Sequence, residues 1–108
     1  MDVSFDDFMK LDLRVGEVEE ATPICGSKNL LKLVVDFGSE KRLSVAGLLQ
    51  YYKPVELVGK KFVFVLNLQR RKIMGIESQC MVLAAEDSEG HVILVAPEKD
   101  IVAGSRVR

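Results

Sequence analysis

Leu11-Asp12-Leu13-Arg14-Val15-Gly16 is the stretch on which the fold turns. Leu11, Leu13 and Val15 share one face of an extended chain while Asp12 and Arg14 share the other, the period-two signature of a half-buried strand. Gly16 interrupts that alternation, as expected where a sheet bends sharply or bulges.

Upstream, Ser4 is placed to cap a short helix from Phe5 to Lys10, with Asp7 supporting its first turn and Phe5, Phe8 and Met9 packed on the body of the domain. Downstream, Leu30 to Phe37 alternates again, and Gly38-Ser39-Glu40 turns the chain into a third strand over Lys41 to Val45. Ala46-Gly47 ends that strand. Leu48 to Tyr52 and Pro54-Val55-Glu56-Leu57 then suggest one or two short helical turns, closed by Gly59-Lys60. Lys61 to Leu66 is a dense β-branched and aromatic run, and Gln79 to Ala85 alternates as one further strand. Asp87-Ser88-Glu89-Gly90 turns back into His91 to Ala96, and the tail from Pro97 to Arg108 carries Ile101, Val102 and Val107 around Gly104. Such a tail needs a surface to cover it.

Five or six short strands, a bend at Gly16 and a helical insertion after the third strand predict an all-β fold: a five-stranded barrel of the OB type with short helices and a C-terminal extension. On pattern alone, a small sandwich is the runner-up. At 108 residues the chain reads as one domain, 1–108. That length buries about two-thirds of the surface the unfolded chain exposes, so no disulfide or metal is required for folding.

Lys+Arg 15 against Asp+Glu 16 gives a net charge of -1, and pI ≈ 5.8 excludes a polycation that coats nucleic acid indiscriminately. Any such binding must use a local patch. Cys25 and Cys80 lie far apart, and His91 is the one histidine, so a structural zinc site lacks ligands and no cofactor motif is present. Free thiols and no apolar run of about 20 residues make a cytoplasmic protein, away from membranes, the default expectation. Catalytic equipment is sparse as well: there is no G-x-S-x-G, no phosphate-cradling glycine loop and little choice of general base.

Binding chemistry concentrates between Asn67 and Met81. Arg70, Arg71 and Lys72 follow the apolar run that ends at Leu66, so a strand should deliver them to an exposed loop where they could meet phosphate. Asn67, Ser78 and Gln79 add short donors and acceptors suited to sugar, phosphate or an exposed base edge. Taken alone, such a triplet reads first as a solvated basic turn.

Four blocks in order now resemble one family: Asp12-Leu13-Arg14-Val15-Gly16; Leu33-Val34-Val35-Asp36-Phe37-Gly38; Tyr51-Tyr52-Lys53-Pro54 with Glu56-Leu57-Val58-Gly59-Lys60; and Asn67-Leu68 through Ser78-Gln79-Cys80-Met81. The family is the tRNA-binding domain found at the C-terminus of many methionyl-tRNA synthetases, in EMAP II-like proteins and as free-standing dimers. The resemblance implies an OB-fold module that holds the outer corner of tRNA by shape and backbone, without catalysis, and adds affinity to a methionyl-tRNA synthetase.

Carried over residue by residue, the resemblance implies tRNA contacts at Arg42, Asn67, Lys72, Ser78 and Met81. Arg42 and Lys72 would meet phosphate, Asn67 and Ser78 the backbone or a loop base, and Met81 a sugar or base unless it is a core methionine. Arg70 and Arg71 join them from the triplet. Lys28 is a weaker candidate, because Ser27-Lys28-Asn29-Leu30 displaces the family's cation by one position. The chain also departs from the pattern at Cys80, where the family has glycine, at Ala46, where serine is common, and at Arg70, where proline is usual.

The expected partners are therefore tRNA, a methionyl-tRNA synthetase catalytic chain, and a second copy of this chain through its apolar tail. The alternative from another class is a chaperone-like peptide-binding homodimer, since a free-standing relative of this domain is similar in length and topology.

Overall fold

The computed structural model describes all residues, Met1–Arg108. Helix α1 (Phe5–Met9) is followed by strands β1 (Leu13–Pro23), β2 (Leu31–Asp36) and β3 (Lys41–Ala46), then α2 (Pro54–Leu57) and β4 (Lys61–Val65). A hairpin of β5 (Arg71–Ile73) and β6 (Ile76–Ser78) leads to β7 (Met81–Val82), a second hairpin of β8 (Ala84–Glu86) and β9 (Val92–Leu94), and finally β10 (Arg106–Val107).

The main sheet runs β3-β2-β1-β4-β7 with every neighbour antiparallel, and β10 adds to the start of β1 through Leu13↔Val107. The result is a nearly closed five-strand barrel of the OB type. Val18, Leu31, Leu33, Val35, Phe37, Leu57, Phe62, Phe64 and Leu66 fill its interior, and the Phe37 and Phe64 rings meet edge to face at 5.5 Å. Each such side chain contributes about 1.5–3 kcal/mol by leaving water.

Closure between β3 and the strand-like segment Ser78–Met81 uses side chains where a regular ladder would use backbone alone. The Gln79 backbone N–H donates to Leu43 O at 2.8 Å, its side-chain Oε1 accepts from Leu43 N at 3.0 Å, and Ser78 Oγ accepts from Val45 N at 3.1 Å. Ser44, fully buried, donates its hydroxyl to Cys80 O at 2.9 Å. The free edge of β3 is thereby satisfied.

Several expectations change. Strand β1 runs through Gly16, and its irregularity falls later, between Val18 and Glu20. Gly16 is required by space: a Cβ there would stand 2.5 Å from Val35 Cγ1 and 2.6 Å from Phe37 Cε1. The N-terminal helix is capped by Ser4 as expected, but it does not bury its aromatics, because Phe5 is 73% exposed and Phe8 is exposed too. The expected single strand from Gln79 to Ala85 is broken at Leu83. There the chain leaves β4 to pair with β9, its N–H donating to Val63 O and its carbonyl accepting from Val95 N. The tail folds back through Gly104, whose φ of +92° places any Cβ in collision with the Phe37 carbonyl. Val107 is partly covered against β1, while Val102 stays 73% exposed.

Candidate nucleic-acid interface

Of the cations expected on a loop, Arg70 does lie in the loop after β4, while Arg71 and Lys72 belong to the first strand of a two-stranded ribbon. Its register pairs Arg71 with Ser78, Lys72 with Glu77 and Ile73 with Ile76, and the turn is Met74-Gly75, with φ of +53° and +81°. Positive φ at both central residues is the geometry of a tight two-residue hairpin loop, which matches the twist of the flanking strands.

Alternation along this ribbon divides the cations. Arg71 and Ile73 face an open cleft of about 380 Å³ lined also by Val45, Leu68, Ser78 and Met81. Lys72 and Glu77 point to the other face, as successive strand residues must. Arg70 Nη1 lies 3.3 Å from Glu77 Oε1, whereas Arg71 and Lys72 form no ion pair. The cleft floor is half apolar, since Met81 is 47% exposed and Leu68 is 44% exposed. Met81 is thus a surface methionine.

The remaining expected residues fall into two groups. Lys28 is exposed on the loop between β1 and β2, and that loop approaches the ribbon tip, where Met74 Cε comes within 3.5 Å of a Cβ built on Gly26. Asn67, Ser78 and Arg42 are occupied by the barrel itself. Asn67 Oδ1 accepts from Asp12 N at 2.7 Å and its Nδ2 donates to Lys10 O at 2.6 Å, which pins the entry of β1 beside the exit of β4. Ser78 Oγ serves β3 and also donates to Cys80 O at 3.3 Å. Arg42 donates through Nη1 to Leu66 O at 2.8 Å and Gln79 O at 3.2 Å and pairs with Glu40 at 2.7 Å, leaving Nη2 without a protein partner.

Sequence reasoning missed Glu77 and gave Leu68 no role of its own. Glu77 was detectable in principle as the one acid between Arg70 and Met81, but only the hairpin register sets it against Arg70 and Lys72. Gln79 was noticed as a polar group, yet its use of both side-chain ends was not: Oε1 on β3 and Nε2 on Glu77 Oε1 at 3.2 Å.

Chemically this surface offers anion-binding donors beside apolar contact area. Cys80 offers no reactive thiolate to the cleft, because burial pushes its thiol up to about 11 and its side chain packs in the core. Away from the cleft, Asp87, Glu89 and His91 bring one ligand atom each within 4.8 Å. Asp87 is already engaged by His91 Nδ1 at 2.8 Å and by the N–H groups of Glu89 and His91, the arrangement of a self-capped exposed turn.

The structure is thus an OB-type barrel with a cationic ribbon beside a partly apolar cleft. The chain belongs to the tRNA-binding domain family, whose model matches residues 13–106. It is 55% identical over 108 residues to a methionine-tRNA ligase of Methanocaldococcus jannaschii, covering 100% of this chain but 16% of that protein. Among solved structures, a MetRS-related protein from Pyrococcus horikoshii superposes with a TM-score of 0.94 at 42% identity, with both chains covered in full. The chaperone CsaA of Bacillus anthracis superposes with a TM-score of 0.90 at 29% identity, again over 100% of both chains. Neither helix is long and apolar enough to cross a membrane.

Proposed function

We propose that this chain is a non-enzymatic tRNA-binding module of the cytoplasm that holds tRNA by backbone and contour and raises the affinity of a methionyl-tRNA synthetase for it. Arg71, unpaired over the cleft, is the observation that carries this reading. Lys72 on the opposite ribbon face and Lys28 on the neighbouring loop supply further phosphate contacts, with Arg42 Nη2 at the edge, while Arg70 is engaged by Glu77. Met81 and Leu68 offer apolar surface to a sugar or base. Asn67 acts by pinning the start of β1 beside the exit of β4, and Ser78 by holding the ribbon against β3 beneath the RNA.

The synthetase connection is supported by relatives that are methionine-tRNA ligases six times longer than this stretch, 16% of whose length it covers. As an appended domain or a separate subunit, a weak site of this kind works by raising the local concentration of tRNA near a catalytic site. Pairing of two copies through the exposed Phe5, Ile101 and Val102 would duplicate the site by symmetry. A monomeric mass at micromolar concentration contradicts that pairing.

The deciding experiment is tRNA binding by the Arg71→Glu/Lys72→Glu variant alongside the unaltered chain. Reversal of two phosphate-facing charges predicts loss of affinity by at least about tenfold near 0.1 M salt. Unchanged binding overturns the assigned surface. The second reading, a chaperone-like peptide binder, draws on the likeness to the Bacillus anthracis chaperone and on the exposed Ile93 and Val102. It predicts peptide binding that persists in high salt, where phosphate contacts fail.

A further inference from the structure

Glu77 is the one carboxylate built into the ribbon, and it sits where an incoming phosphate would otherwise find Arg70. Its Oε1 accepts from Arg70 Nη1 at 3.3 Å and from Gln79 Nε2 at 3.2 Å, and its backbone faces Lys72 across the register. The side chains of Arg70 and Glu77 are both about half exposed, at 50% and 43%. They are therefore held together weakly, and a polyanion can compete for the guanidinium. The contact with Gln79 matters because it fixes the carboxylate from behind: Gln79 is in turn tied through Oε1 to Leu43 N of β3. An ordinary surface glutamate has no such anchor.

We propose that Glu77 is an internal stand-in for phosphate, which withholds Arg70 from the RNA and keeps the site at low affinity. The proposal rests on the RNA-binding reading given above. In the resting chain Arg71 and Lys72 are the ribbon's available cations, and Arg70 joins only when Glu77 is displaced or neutralised. Weak holding suits a module that must release tRNA once the partner enzyme has used it.

Glu77→Gln tests this, because the amide keeps an acceptor for Gln79 and removes the charge. With tRNA as the probe, Glu77→Gln should bind about two- to fivefold more tightly near 0.1 M salt, the range open to a weak exposed ion pair. The slope of log K against log salt should steepen by about 0.7–0.9, one added phosphate contact. Arg70→Ala alone should change binding little, yet in the Glu77→Gln background it should remove the gain in both affinity and slope. Equal losses from Arg70→Ala in the two backgrounds, or no gain in Glu77→Gln with an unchanged melting temperature, overturn the proposal. Should Arg71→Glu also leave binding untouched, the RNA surface itself is wrong; Arg71→Glu weakening with an inert Glu77→Gln rejects the role of Glu77 alone.

Discussion

Cys80 departs from the resembled pattern and turns its side chain into the core. The thiol stands where the resemblance leads one to expect glycine, and it lies with Sγ 3.8 Å from Leu43 O while its own carbonyl accepts from Ser44. Burial raises its pKa to about 11, so the reactive thiolate is scarce at neutral pH. Cys25 is exposed on the β1–β2 loop. Thiol labelling of the native chain at pH 7 should therefore modify one cysteine, with the second reacting only after denaturation; rapid modification of both would show that the segment closing the barrel opens readily. The cation at each position of the triplet was visible in the sequence. What was not visible was its direction, because the two faces of a ribbon are set by a register that depends on where the chain turns.

At the level of elements, the hairpin β5–β6 and the broken strand after it explain what the sequence left hidden. Each hairpin strand is three residues long, and the turn is Met74-Gly75, whereas Asn-Gly or Asp-Gly is the readable signal. Strands β2 to β4 were legible to within about one residue of their bounds, because their apolar residues alternate or cluster over five residues or more, whereas β1 was read only as far as Gly16 and runs on to Pro23. The break at Leu83 was not, since alternation continues straight through it and only tertiary pairing moves the chain from β4 to β9. The closing segment Ser78–Gln79 was read as ligand chemistry, and its hydrogen bonds to β3 show a second use for the same residue types. Replacing Gln79 by Ala strands the half-buried Leu43 N–H and should cost about 1–2 kcal/mol, and Ser78→Ala about 1 kcal/mol through Val45 N–H. Thermal melting would read these as losses of roughly 4–8 °C per kcal/mol. Wild-type melting in both variants would mean that the barrel closes without them.

Over the whole molecule, the ties that hold the C-terminal tail to the barrel include Gly104 N to Val15 O at 2.7 Å, Val15 N to Ser105 O at 2.9 Å, the β10 pairing to β1, and Lys61 Nζ to Asp100 Oδ1 at 2.8 Å and Ile101 O at 2.7 Å. The Lys61 ammonium, hydrogen-bonded to Asp100, holds that carboxyl below the ordinary carboxylate range. A carboxyl with a depressed folded pKa stabilises above its unfolded value and loses that contribution as pH falls through the folded one. Protection of the Gly104 and Ser105 amides, corrected for the intrinsic pH dependence of exchange, should therefore fall below about pH 4, and Lys61→Met should show the lower protection already at pH 7. Equal exchange in the two proteins at pH 7 would remove the ion pair from the account. The mildly acidic total charge leaves recognition to local placement, and the proposal's central claim is that Arg71 over the cleft, with Lys72 on the other ribbon face and Lys28 on the β1–β2 loop, meets the phosphates of one tRNA. Titrating tRNA binding across salt, for the unaltered chain and for Arg71→Ala, tests it most directly. The account predicts a slope of log K against log salt of magnitude about 2–3, reduced by about 0.7–0.9 in Arg71→Ala; equal slopes in the two proteins, or binding insensitive to salt, would contradict it.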